Sequence, residues 1–259
     1  MKRIIWLLLF LLFAGVCYAQ SAHLSVDNLT TDNGLPSNVV NGIVQDNQGY
    51  MWFATYRGVV RYDGYTMHRY NLRTTDEGWF NENVWRLFKD KQGNIWAGLS
   101  PGGVFMYDRV TDSFIHYTHK ANDKQSLRYN NVTDISNGLH GDVWVLAGDY
   151  SFKFWDLCRF NAKTHKFTNY GPGEKGKYYL DSVYQVHPDS LGNLWASGGR
   201  SHSLYKFNEK QGAFIKYTSF PFTVGGFSYD KNVIWFNSDK GLLKFDIKKK
   251  DVLGIKTCC

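Results

Sequence analysis

An all-β protein assembled from one repeated four-stranded unit is what this sequence predicts, and three observations predict it. Trp, Tyr and Phe make up 17% of its 259 residues, and flat aromatic side chains pack well on a pleated, half-buried surface. Only 5 prolines stand against 25 glycines, the balance of short strands joined by tight turns. Most telling is a self-similar spacing. Counted from Val40, Val84, Val132, Val183 and Val224, an apolar residue follows at the third position: Ile43, Leu87, Ile135, Val186 and Phe227. Asp46, Asp90, Gly138, Asp189 and Asp230 come three later, and then Gly49, Gly93, Gly141 and Gly192. Trp52, Trp96, Trp144, Trp195 and Trp235 close the phrase, the last one step early because the fifth copy lacks a turn residue.

The first nineteen residues stand outside this pattern. Lys2 and Arg3, an apolar run from Ile4 to Phe13 and small residues near Cys17-Tyr18-Ala19 have the three-part layout of a secretory leader. Cleavage after Ala19 is expected. A lipobox ending at Cys17 is the rival, with Val16 a poor residue before a lipidated cysteine. The run is shorter than the ~20 residues of a comfortable membrane span.

Each repeat then builds its strands in order. The apolar residues ahead of the aspartate form an inner strand. Asp can hydrogen-bond the backbone two residues on, and Gly supplies the left-handed conformation that closes a hairpin. A calcium loop would need more oxygen ligands than these turns offer. The tryptophan lies on the second strand. A Gly-bearing turn leads to a third strand with Tyr62, Tyr107, Phe160, Phe207 or Phe245. A fourth follows, with Phe114, Phe167, Phe214 and Val252, then Tyr117, Tyr170, Tyr217 and Ile255; Met67 and Tyr70 fill those places in the shorter first copy. The tryptophans recur every 40 to 51 residues.

Four strands at that period read as blades of a β-propeller. Five blades are expected, over about 38–70, 83–117, 131–170, 182–217 and 224–255. A β-sandwich, the other candidate, would not explain so regular a period. The repeated Trp and Phe/Tyr positions are expected to form the packing between blades, since one twisted sheet cannot bury both its faces.

"VQDNQGYMWFATYRGVVRYDGYTMHRY" and "FKDKQGNIWAGLSPGGVFMYD" resemble the two-component regulator propeller repeat, and "LTTDNGLPSNVV" resembles that family's usual opening. The resemblance spans about residues 23–255. It implies the periplasmic sensor of a hybrid two-component system of the kind found in Bacteroides-type bacteria, with an oligosaccharide as ligand. In that family a β-sandwich domain, a membrane span and a kinase typically follow. This chain carries no phospho-acceptor helix and no Gly-rich ATP motif, so the resemblance extends to the sensor role and not to kinase activity.

Catalytic chemistry is not indicated. Eight histidines are scattered, no His/Cys/carboxylate group has metal spacing, and no Gly-x-Ser-x-Gly elbow occurs. No cofactor, metal or catalytic residue is expected. A propeller glycosidase or lyase, with paired carboxylates in the central channel, is the enzymatic alternative. Removing Lys2 and Arg3 with the leader lowers the formal charge from +7 to +5. The remaining cations are dispersed, so no nucleic-acid partner is implied. Cys158, Cys258 and Cys259 form no Cys-x-x-Cys pair.

Binding is expected on the face shared by the inter-blade segments and the loops between second and third strands. These segments vary, whereas the Asp-x-x-Gly turns at the other end are uniform, and function concentrates in variable loops on a rigid scaffold. Sugars are held by aromatic faces and by Arg, Asn or carboxylate groups on their hydroxyls. Trp79, Tyr129, Tyr150, Trp155, Tyr178 and Tyr179, with Arg57, Arg73, Arg128 and Arg200, fit that role. A pure interaction or dimerisation scaffold is the second reading. Strand counting finally predicts an incomplete ring, because "HLSV" at 23–26 lies where the outer strand of a preceding blade would fall, and no three strands remain after the fifth copy. A closed five-bladed ring, with "HLSV" as a loose arm, is the rival.

Overall fold

The computed structural model of the protein describes residues 26, 28–72, 82–149, 155–170, 183–198 and 202–254. Its strands form five four-stranded antiparallel sheets, each an up-and-down meander in which neighbours in sequence are neighbours in space. The first sheet comprises β1 (Val40–Gln45), β2 (Met51–Thr55), β3 (Gly58–Tyr62) and β4 (Met67–Tyr70). The second holds β5 (Val84–Lys89), β6 (Ile95–Leu99), β7 (Gly103–Asp108) and β8 (Ser113–Tyr117). The third holds β9 (Asn131–Asn137), β10 (Val143–Gly148), β11 (Trp155–Asn161) and β12 (Lys166–Tyr170). The fourth holds β13 (Val183–Pro188), β14 (Leu194–Gly198), β15 (Ser203–Asn208) and β16 (Ala213–Ser219). The fifth holds β17 (Val224–Asp230), β18 (Val233–Ser238), β19 (Gly241–Asp246) and β20 (Asp251–Gly254). Helical structure among the described residues is limited to two three-residue 3-10 turns, Thr31–Asn33 and Leu139–Gly141.

The all-β propeller architecture is therefore observed, five blades in series. Inner strands β1, β5, β9, β13 and β17 lie against one another in that order. Four apolar clusters join sheet to sheet, and each has a repeat tryptophan. Trp52 packs with Leu87 and Tyr107 of the second sheet. Trp96 packs with Val132 and Phe160 of the third, Trp144 with Val186 and Phe207 of the fourth, and Trp195 with Phe227 and Phe245 of the fifth. Each of these four indoles is at most 1% exposed. Burial of so large a ring contributes on the order of 4 kcal/mol by apolar area.

The two ends of the series are built differently. The first sheet's outward face (Phe53, Val60) is covered by Leu35 and Leu29 from the segment ahead of β1. Trp235, the fifth tryptophan, is only half-buried, with the Lys244 ammonium 5.7 Å from its ring centre. Leu242 and Leu253 of the fifth sheet are 43% and 51% exposed. Among the described residues no apolar cluster joins the first sheet to the fifth. Of the "HLSV" segment only Val26 is described; it is outside any strand and exposed. The expected leader, residues 1–19, lies outside the described residues.

Fourth-strand tyrosines add an outer link between neighbours. Tyr70 donates to Asp112 Oδ1 at 2.6 Å, in the turn between β7 and β8. Tyr117 lies 2.8 Å from His165 Nδ1, in the matching turn of the third sheet. Tyr217 donates to the Ile247 carbonyl at 2.9 Å, in that of the fifth.

Candidate functional site

At the end of the sheets that carries the Asp-x-x-Gly turns, the repeat closes on itself. Asp46 Oδ1 accepts from the Gln48 and Tyr50 N–H groups at 2.8 and 3.1 Å, and Oδ2 accepts from the Trp52 indole at 2.8 Å. Asp90 does the same with Gln92, Asn94 and the Trp96 indole, and Asp189 with Leu191, Asn193 and the Trp195 indole. The turn glycines Gly49, Gly93, Gly141 and Gly192 have φ between 82° and 93°, which only a residue without a Cβ adopts cheaply. In the third sheet Gly138 replaces the aspartate. A side chain there would collide with the Trp144 indole nitrogen. In the first, second and fourth sheets that end is a shared structural device in which both aspartate oxygens are satisfied.

The opposite end, where inner strands begin and second strands finish, is irregular. Every inner strand loses register at the same place: between Val40 and Gly42, Val84 and Arg86, Val183 and Gln185, and Val224 and Phe227, with β9 irregular opposite Leu146 and Ala147. A bulge inserts an unpaired residue and re-aims its neighbours. Here the bulges frame a cavity of about 470 Å³ among four inner strands. Its lining includes Arg86 of β5, Thr133 and Asp134 of β9, Gln185 of β13, and Gly225 and Gly226 of β17.

Asp134 is the unusual group. It is 4% exposed, its Oδ1 accepts from the Ile135 N–H at 3.0 Å, and its Oδ2 is buried with no hydrogen bond of good geometry. Arg86 Nε lies 3.1 Å from Oδ1. Burial pushes the Asp134 carboxyl up to about 6, with the Arg86 charge and the Ile135 and Val186 backbone opposing it. His187, one strand over, is pushed down to about 4 by burial and by the Arg86 charge, so it is neutral at pH 7. Gln185 Oε1 accepts from the Phe227 N–H at 2.6 Å, which fixes its amide orientation.

A second buried carboxylate sits at the same end. Asp156 on β11 is 3% exposed, with Oδ1 lacking a partner and Arg128 Nε 3.9 Å from Oδ2. Burial pushes it too up to about 6, opposed by the Arg128 charge. Cys158, two residues on, is fully buried, and that burial, with the Asp156 charge, pushes its thiol up. It is a free, core cysteine.

The residues expected to bind from sequence are distributed as follows. Arg57 is exposed in the turn between β2 and β3, its N–H on Thr55 Oγ1 and its carbonyl accepting from Arg69 Nε. Arg128 faces Asp156, one residue past Trp155. Tyr129 leans on the core between the second and third sheets, and Trp155, half-buried, on that between the third and fourth. Arg73, Trp79, Tyr150, Tyr178, Tyr179 and Arg200 lie outside the described residues. Sequence reasoning missed Arg86, Asp134 and Gln185. They stand some fifty residues apart in register-equivalent positions just past the bulges, so aligning the repeats there exposes three polar residues where the first and fifth copies have glycine. Among the described residues no three His, Cys, Asp or Glu side chains converge as metal ligands.

Residues 34–57 and 78–100 match the family described as "Two component regulator propeller". No curated protein matches the chain. Among solved structures, it superimposes on an extracellular domain ascribed to hybrid two component system BT4673 from B. thetaiotaomicron with a TM-score of 0.65 and 21% identity. That match covers 86% of this chain and 30% of the other. PorZ, a surface component of the type-IX secretion system of Porphyromonas gingivalis, aligns with a TM-score of 0.62 at 17% identity, over 83% of this chain and 34% of its own. Virginiamycin B lyase from Staphylococcus aureus aligns at 0.60 and 16%, over 84% and 70%. The chain thus spans about a third of the first two, and at these identities the shared property is the propeller fold. No helix among the described residues is long and apolar enough to cross a membrane.

Proposed function

We propose that this chain is the ligand-sensing propeller portion of a two-component signalling protein, exported to the periplasm, non-catalytic, and recognising an oligosaccharide. The observation that carries the reading is the family match, which falls on the first two copies of a repeat that the structure shows in five sheets. The neighbour from B. thetaiotaomicron, itself an extracellular domain, supports the location. The lyase shares a fold that hosts many chemistries, so its activity does not transfer.

The ligand face is the end bearing the inter-blade segments, with Arg57, Arg128, Tyr129 and Trp155; Arg73, Trp79, Tyr150, Tyr178, Tyr179 and Arg200, outside the described residues, are expected to contribute to binding. The aromatic rings stack on sugar faces and the arginines engage hydroxyl oxygens. Kinase and response-regulator modules are the proposed signalling partners.

A ligand that binds only the native state raises its melting temperature, so a panel of oligosaccharides screened by thermal shift tests the reading. A concentration-dependent rise with one class, weakened when Trp79 and Tyr178 are changed to Ala together, is expected. No shift with any member, alongside a stable dimer in light scattering, would favour the scaffold reading instead.

A further inference from the structure

The cavity among the inner strands gathers a guanidinium, an amide and threonine hydroxyls. Arg86 presents a guanidinium whose side chain is 38% exposed, and its Nε faces Asp134 from behind. No other described residue pairs with that cation. Asp134 itself is sealed, 5% exposed at its side chain, with Oδ2 inaccessible. The carboxylate therefore orients the arginine without offering itself to a ligand. Gln185 spends its carbonyl oxygen on Phe227 N–H, which leaves its NH₂ as a donor on the cavity side. Thr133 adds an exposed hydroxyl. Across the cavity Gly225 and Gly226 bring only backbone. A Cβ at either would come within 2.6 Å of Asn237 or 2.9 Å of Gln185, so the opening cannot be filled by a larger residue without displacing them.

An arginine ion-paired from behind through its Nε, with a neutral amide and hydroxyl beside it, is suited to an oxyanion that accepts a forked pair of hydrogen bonds from its terminal nitrogens. We propose that the cavity binds the carboxylate or sulfate group of an acidic ligand, with Arg86 as the anion-recognising residue, Gln185 and Thr133 as supporting donors, and Asp134 as the positioning residue. The inference deepens the oligosaccharide reading, on which the saccharide part of the ligand rests. The anion site itself stands on the cavity alone. Its volume accommodates one acidic sugar unit, and its position at the ends of inner strands opens it toward the inter-blade segments.

Isothermal titration of the whole chain separates the two ideas. The probes are an oligogalacturonide, a sulfated chondroitin disaccharide, neutral oligosaccharides of matching length, and acetate, citrate and sulfate alone. Arg86→Gln and Gln185→Glu are compared with the unaltered protein, each first checked for an unchanged melting profile. Gln185→Glu keeps an acceptor for Phe227 N–H while adding a negative charge, so it is the safer variant if Arg86→Gln fails to fold. Binding of an acidic saccharide, weakened at least 10-fold by both changes while neutral binding is unmoved, is the expected result. If only neutral saccharides bind and neither variant alters them, the anion site is overturned and the sensor reading survives. If simple anions bind through Arg86 while no saccharide does, the site stands and the oligosaccharide reading falls. If no probe binds, both fall.

Discussion

Buried aspartates occur at both ends of these sheets, and the two sets live under opposite conditions. Asp46, Asp90 and Asp189 are 5–8% exposed, and each oxygen accepts at least one hydrogen bond from its own hairpin. Asp134 and Asp156 are 3–4% exposed, yet each has an oxygen with no partner and an arginine as its only counter-charge. A buried carboxylate with its lone pairs filled holds structure together. One that is incompletely matched is costly unless something else uses it. The difference separates the end that is scaffold from the end proposed as the binding site.

An isosteric change breaks the comparison most directly. Asp90→Asn puts an NH₂ against the Trp96 indole and Asn94 donors, leaving a buried donor unsatisfied, and is expected to cost about 3 kcal/mol. Asp134→Asn removes a charge that lacks a full set of partners, and Arg86 keeps its exposed end in water; the expected cost is within about 1 kcal/mol. Urea denaturation of both variants measures this. Equal losses would abolish the distinction between the two ends.

The pH dependence sharpens it. Asp134 has a folded pKa of about 6, above its ordinary 3.8. Between those values the folded state holds a proton that the unfolded state has lost, so this group's contribution falls as pH rises from about 4 to 6 and is regained on acidification. Asp156 acts in the same direction. His187, held near 4 from 6.5, acts against them over the same window. The stability of the unaltered protein minus that of Asp134→Asn should therefore drop by on the order of 2 kcal/mol across that range. Denaturation curves at intervals of half a pH unit, if parallel for the two proteins, would contradict the assignment.

Much of this was legible in the sequence. The repeated Val…Trp spacing pointed to the first two strands of each sheet and the aromatic positions after it to the other two, because strand period and turn chemistry are local. The asp–indole bond was not foreseen. Its partners stand six residues apart, but only the hairpin's twist reveals that they meet. The Arg86–Asp134 pair was invisible for another reason. Its members lie on different sheets, and the bulges that aim them leave no mark in hydrophobic periodicity. Of the ten residues expected to bind, four are described, and Tyr129 and Trp155 are part of the core margin as well as of the loop face.

Smaller effects distinguish linkage from surface. Tyr70→Phe removes the hydroxyl held by Asp112, whose carboxyl the Tyr107 and Tyr70 hydroxyls keep down at about 2. The expected loss is about 1 kcal/mol. Because that pKa is depressed, the link's stabilisation is present above about pH 4 and is lost as pH falls toward 2, so the variant and the unaltered protein should converge in acid. Calorimetry at pH 7 and pH 2.5 tests the convergence. Arg57→Ala, at an exposed turn, should change stability by no more than about 0.5 kcal/mol, while weakening oligosaccharide binding measured by titration; a large stability loss would move Arg57 from the ligand face to the scaffold.

The aspartate–indole bond also sets an order of events during synthesis. In the first, second and fourth sheets its two partners emerge almost together, from the ribosome or from a translocation channel, so each of those hairpins can latch before the next sheet is present. The indole's apolar bed, however, belongs to the following sheet: Trp52 waits for Leu87 and Tyr107, and Trp96 for Val132 and Phe160. At about 5–20 residues per second, each newly latched sheet keeps an uncovered aromatic face for several seconds. Emerging chains of this protein should therefore be chaperone clients in a rhythm, one episode each for Trp52, Trp96, Trp144 and Trp195, each ended by the arrival of the next sheet.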